Sequence, residues 1–375
     1  MSEVRPLIRI RFVQLREIHL PLLHAFETSA ERTTVRKIIL VTVRSDSGVG
    51  YGECTAAETP FYNSETTETA WHILCDFVIP PLLGRELARA SDCAPILAPI
   101  RGNLMARAAL ETTLWDLEAR SLGLPLFRHI GGVRNEVECG VSIGIQETIG
   151  KLMEKVRMEV SAGYRRVKIK IKPGYEIEPL AAIRQEFPDL LVMADANSAF
   201  TLGDLPLLRK LDRFRLMMIE QPLAHDDIVD HATLQRELQT PICLDESIRS
   251  AEDARKAVEM ESCRIINVKL GRVGGYREAI RINNYCVKNH IPLWCGGMLE
   301  SGIGRAHNIA MSTLSGFVLP GDVSASKRYY AEETIVPPVE VTSLGTIRVP
   351  ERPGIGYDLN WDVIEKSTIR TREFD

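Results

Sequence analysis

Five charged residues recur along the second half of this chain at nearly constant spacing: Lys170, Asp195, Glu220, Asp245 and Lys269 stand 25, 25, 25 and 24 residues apart. Each closes a short apolar run and is followed by a stretch with helical periodicity. A step of about 25 residues is the length of one strand, one helix and their two loops. Val137–Ile143 supplies a preceding strand, and Ile291–Cys295 and Phe317–Leu319 continue the series, which makes eight. Eight such units close on themselves as a barrel. The expected fold is therefore α/β, a (β/α)8 TIM-type barrel.

The opening of the chain reads differently. Ile8–Gln14 alternates in period two, and the run from Lys37 to Arg44 is β-branched and closed by Ser45-Asp46-Ser47-Gly48. Between them His24–Ser29 reads as a polar connection. The residues from Leu104 to Arg120 have helical spacing around Trp115. Strands followed by helices describe an α+β unit, and 375 residues are more than one core usually supports. Three regions are expected: an α+β capping domain over 1–130, the barrel over 131–335, and a segment over 336–375 that returns to the capping domain.

Composition narrows the function. The net charge is −4, with 46 basic and 50 acidic side chains, so nothing points to nucleic acid, which needs a clustered positive field. No apolar stretch is long enough to span a membrane, and the start, Met1 to Arg5, lacks the apolar core of a signal peptide. Eight cysteines without a CxxC pair read as reduced, buried thiols. A cytoplasmic enzyme is expected. No HExxH or other zinc spacing is present, and the glycine groups form neither a GxGxxG nor a P-loop.

In a barrel of this kind the site forms at the C-terminal strand ends. Three carboxylates converging there, Asp195, Glu220 and Asp245, repel one another unless a cation joins them. Oxygen ligands of this sort suit Mg2+, or another hard divalent ion such as Mn2+. Lys170 and Lys269 lie on strands two and six, to either side. That arrangement serves removal of a proton α to a carboxylate, with the resulting enediolate charge held by the ion. A lysine must be neutral to act as the base, against an ordinary pKa of about 10.4. Lys168 shares a strand face with Lys170 by period two and is read as lowering its pKa; the competing reading is a lysine paired with a nearby carboxylate.

The segments Lys168-Ile-Lys170, Asp195-Ala-Asn197, Glu220-Gln-Pro222, Leu244-Asp245-Glu246-Ser247 and Asn267-Val-Lys269 resemble the enolase superfamily, muconate-lactonizing subgroup, over the whole chain. The runs from Trp294 to Arg305, Leu319 to Asp322 and Asn267 to Gly275 resemble the o-succinylbenzoate synthase/N-succinylamino acid racemase family. The resemblance implies metal ligation by Asp195, Glu220 and Asp245 and an acid/base pair of Lys170 and Lys269. It implies Mg2+-assisted syn-dehydration of 2-succinyl-6-hydroxy-2,4-cyclohexadiene-1-carboxylate, a step of menaquinone synthesis, or racemisation of N-succinylamino acids by the same site. It also implies a small carboxylate substrate and a homo-oligomer; the charge balance and the lack of a long apolar stretch lead to the expectation of no nucleic-acid or membrane partner.

Other positions leave two readings open. Asn197 either joins the metal shell or caps the next helix, and Glu246 bonds a lysine or lines the barrel. Arg272 either tunes Lys269 or is solvated. Gly297 and Met298, after strand seven, contact substrate or make a plain turn. Ser142 at the end of strand one, with Phe26 and Tyr62 from the capping loops, covers the substrate or, for the two aromatics, merely packs. Asp322 stands after strand eight as a single acid where dipeptide epimerases carry a pair. Trp294 is read as a packing residue at the barrel mouth, and Trp294-Cys295-Gly296 offers no catalytic His of the mandelate-racemase kind. A muconate cycloisomerase and a catalytically silent metal-binding scaffold are the remaining alternatives.

Overall fold

The computed structural model describes residues 7–29 and 31–375; the Met1–Arg5 start, read above as lacking the apolar core of a signal peptide, lies with residue 6 outside them. The chain opens with β1 (Ile8–Glu27), β2 (Arg32–Ser45) and β3 (Gly48–Cys54), paired antiparallel in that order. The run Ile38–Val41 is apolar without alternation because this sheet is covered on both faces. Ile39, Val41 and Val43 point into a core shared with the helix α1 (Leu104–Ser121), whereas Ile38 and Leu40 join the core of the barrel. Burying one such side chain stabilises by about 1.5–3 kcal/mol, so this strand fastens both bodies. His24–Ser29, expected as a connection, is largely strand: β1 runs on to Glu27, with its pairing to β2 interrupted between Pro21 and Phe26. Pro21 lacks the donor a ladder needs, and an irregularity there is its usual accommodation.

Seven parallel strands follow in sequential order: β4 (Gly140–Ile143), β5 (Arg166–Lys170), β6 (Leu191–Asp195), β7 (Ile219–Glu220), β8 (Ile242–Leu244), β9 (Ile265–Val268) and β10 (Leu293–Cys295). The register aligns Lys170 with Asp195 and Asp195 with Glu220, which brings their side chains to one level. The eighth place is filled without a regular strand. Phe317 bridges to Leu293 and Gly321 to Cys139; Gly140 N donates to Gly321 O at 2.7 Å and Asp322 N to Cys295 O at 2.8 Å. Pro320 has no N–H to give, so the segment closes the ring through isolated bonds. The first strand is also shorter than expected: Glu136–Glu138 pairs instead with Thr346–Arg348, antiparallel.

Met193, Met218, Cys243, Ile265 and Trp294 plug the barrel interior. Trp294, expected at the mouth, is fully buried there and donates to Cys243 Sγ at 3.2 Å. All eight cysteines are buried and unpaired. Among the described residues no helix is long and apolar enough to cross a membrane.

Two buried glutamates clamp the N-terminal unit onto the barrel. Glu53, at the end of β3, accepts from Ser301 N at 3.0 Å and Gly304 N at 2.8 Å. Glu111 of α1 accepts from Tyr276 N at 2.8 Å and Arg277 N at 2.9 Å. These amides begin the helices Tyr276–Lys288 and Gly302–Met311, where backbone donors have no helical partner. The β1–β2 hairpin tip reaches the strand ends: Ile145 N donates to Glu27 O at 3.0 Å and Ser29 Oγ to Ala196 O at 3.2 Å. The last strand, Thr368–Phe374, pairs antiparallel with β1.

Candidate active site

Alternation along β5 sends Arg166, Lys168 and Lys170 to the same face, into the barrel. Lys170 Nζ donates to Asp195 Oδ2 at 2.6 Å and Asn197 Oδ1 at 2.7 Å. Lys168 Nζ lies 2.6 Å from Asp322 Oδ2, 3.0 Å from Glu220 Oε2 and 3.2 Å from Asp195 Oδ2. Lys168 therefore does not face Lys170 as a bare neighbouring ammonium; Asp195 Oδ2 stands between them, accepting from Lys170 and ion-paired with Lys168. Asn267 Nδ2 holds the other oxygen of Glu220 at 2.6 Å. Across the mouth, Lys269 Nζ donates to Asp245 Oδ2 at 2.7 Å and to Tyr62 Oη at 3.0 Å, and Arg272 takes the second oxygen of Asp245.

None of these charges is solvated: the three lysines are 3–6% exposed and the three strand-end carboxylates at most 1%. Burial alone would raise Asp195, but Lys170 and Lys168 hold it well below the usual carboxylate range. Burial, with the charge of Asp195 added, pushes Glu220 up. Burial works against the Lys168 ammonium and Asp322, Glu220 and Asp195 outweigh it, so it is held above its ordinary value. The same balance, with Tyr62 and Glu246 leading the opposing side, raises Lys269.

The side chains fit a divalent cation in kind. Asp195, Glu220 and Asp245 are hard oxygen donors on successive strands, sealed from water, and their charge is met by Lys168, Lys170, Lys269 and Arg272. Among the described residues no three His, Cys, Asp or Glu side chains already converge as a cage, because Asp245 gives its oxygens to Lys269 and Arg272. Two buried oxygens beside the carboxylates, Glu246 Oε2 and Asn267 Oδ1, have no partner, leaving acceptor capacity in the site unused.

The softer sequence readings resolve unevenly. Asn197 is in the site and caps no helix: it has a left-handed backbone (φ 43°), bonds Lys170, and donates to Glu246 Oε1 at 3.1 Å. Glu246 thus meets an amide rather than a lysine. Arg272 is buried on Asp245, not solvated. Tyr62 joins the site directly, its ring lying 4.5 Å from Lys269 Nζ. Ser142 stands at the end of β4 with its Oγ buried and unpartnered. Gly297 packs against Asp322, and Met298 against the capping-domain core. Phe26 is half-buried on the hairpin tip, two residues from the Thr28–Ser29 turn over the mouth. Asp322 is drawn inward to Lys168 and Arg166. Sequence reasoning missed Arg166 and Asn267. Period two, followed backward from Lys168 and Lys269, points to both.

Residues 8–131 match the N-terminal domain of mandelate racemase / muconate lactonizing enzyme, and residues 151–363 match the enolase C-terminal domain-like family. The chain belongs to the enolase superfamily, in its muconate-lactonizing branch. Within it the chain belongs to the o-succinylbenzoate synthase/N-succinylamino acid racemase family. It is 51% identical to an o-succinylbenzoate synthase of Geobacillus kaustophilus over 96% of each chain. It is 46% identical to an N-succinylamino acid racemase of Thermus thermophilus over 97% of this chain and 99% of that one. A crystal structure of an enolase-superfamily member from Listeria innocua superposes with a TM-score of 0.94, at 42% identity, covering 98% of this chain and 99% of that one.

Proposed function

We propose that this chain is a carbon–oxygen lyase that dehydrates 2-succinyl-6-hydroxy-2,4-cyclohexadiene-1-carboxylate to o-succinylbenzoate. The observation that carries the reading is the opposed pair of lysines, Lys170 on Asp195 and Lys269 on Asp245, flanking Glu220; the 51% identity to a synthase supports the substrate. Asp195, Glu220 and Asp245 hold a divalent cation, Mg2+ in our reading, which when bound stabilises negative charge developing on the substrate carboxylate. Lys170, as the neutral amine, takes the α-proton and returns it to the departing hydroxyl on the same face. Water leaves and the ring becomes aromatic. Lys269 stays an ammonium and faces the enediolate as a fixed cation. Tyr62 and the hairpin tip bearing Phe26 exclude water from the mouth, and Ser142, Gly297 and Met298 line the substrate end.

The same opposed lysines support a second activity, racemisation of N-succinylamino acids, in which one removes and the other returns a proton from opposite faces. A relative of that name at 46% identity favours keeping it. We read the enzyme as a cytoplasmic homo-oligomer. Lys170→Ala should lower kcat for dehydration by at least about 1,000-fold, the middle of the range that general acid–base groups supply. Chelator should abolish turnover reversibly. Full activity in either case contradicts the assignment.

A further inference from the structure

Arg166 has no surface: its relative exposure is 0%, on β5 two residues before Lys168. A buried guanidinium is tolerated only where its charge is met. Here it lies over the Trp294 ring, 5.1 Å from the centroid, and donates to Asp322 Oδ1 at 2.7 Å and Pro320 O at 2.7 Å. The neighbouring strand makes room for it, since a Cβ on Gly140 would stand 2.6 Å or less from the guanidinium. The second oxygen of Asp322 takes Lys168 at 2.6 Å, the shortest of that ammonium's three contacts; the others go to Glu220 and Asp195. Asp322 is thus a carboxylate with both oxygens committed to cations of one strand.

We propose that Asp322, clamped by Arg166, is a positioning residue that tethers the Lys168 ammonium and keeps it from settling fully onto Asp195 and Glu220. The inference rests on the reading of those two carboxylates as divalent-cation ligands. With the tether cut, two cations remain inside the barrel and one anion is gone. The lysine then competes with the metal for the same oxygens. A purely structural clamp between the Pro320–Asp322 segment and β5 would change stability and leave metal affinity alone.

The test titrates Mn2+ into metal-free parent protein and Asp322→Asn, reading bound ion by electron paramagnetic resonance, with dehydration kinetics alongside. Asp322→Asn should bind Mn2+ at least about tenfold more weakly, because a nearby charge has been removed. Its kcat should fall about 100-fold, the scale of a displaced site group, with KM within about threefold. Arg166→Met/Asp322→Leu removes one cation and one anion together, so it should melt close to the parent and remain slow, because the tether is still absent. Asp322→Asn that binds Mn2+ as the parent does, or a double variant with full kcat, overturns the proposal. Parent protein that takes up no Mn2+ overturns the ligand reading and, with it, this inference.

Discussion

Lys269 extends to the mouth across a position that has no side chain. A Cβ at Gly296 would stand 2.6 Å from Lys269 Cε and crowd the Asn267 amide that holds Glu220. Gly296→Ala should therefore lower kcat about 100-fold by displacing the lysine, while overpacking costs about 1–3 kcal/mol of stability. Steady-state kinetics and thermal melting check this, and an unchanged kcat would show that Lys269 has room to spare. The five strand-end charges could be read from the sequence because a barrel fixes which end of each strand is functional. The partners could not. Spacing along the chain places Arg272 three residues after Lys269, but only the fold shows it on Asp245. Asp322 meets Lys168 across the barrel, 154 residues away in sequence, with no local pattern to announce it.

At the scale of elements, the sequence was clearest where burial is two-sided or periodic. The Ile38–Val41 run and the βα step fall into that class. Phe317–Leu319 has strand composition, yet Pro320 leaves it only isolated bridges, and His24–Ser29 looked polar although most of it extends β1. Clamps between elements were invisible, because a glutamate that caps another domain's helix looks like any other. Glu53 and Glu111 carry such contacts, and burial pushes each carboxyl up to about 7 despite the amides that pull it down. A carboxyl raised in the folded state binds its proton more tightly there than in the unfolded chain. Its contribution is complete below 4.5 and is lost as pH rises to about 7. Glu111→Gln has no proton to lose, so its destabilisation relative to the parent should shrink between pH 5 and pH 7 on the scale set by about one to two pKa units. Urea midpoints at the two pH values test this; a gap that widens contradicts the account.

For the whole molecule, the two ends of the chain share one sheet. Thr368–Phe374 covers the edge of β1, and Arg370 bonds Glu17 and Glu68. Deleting residues 368–375 should expose that edge and lower the melting temperature by at least about 5 °C, since about 1 kcal/mol is worth some 2–4 °C or less in chains beyond 150 residues. A melting temperature equal to the parent's would mean the strand is dispensable. The capping unit matters beyond stability, because it carries Tyr62 onto Lys269 and the hairpin tip onto the strand ends. Two bodies were legible from the change in periodicity near residue 137; their interlocking was not. The central claim is that these two bodies together enclose a metal-assisted dehydratase. Its most direct test mixes purified protein with Mg2+ and 2-succinyl-6-hydroxy-2,4-cyclohexadiene-1-carboxylate and follows loss of the diene absorbance. The account predicts turnover with kcat/KM within the usual enzymic range of about 10⁴–10⁸ M⁻¹s⁻¹. Folded, metal-loaded protein that leaves the diene intact would contradict it.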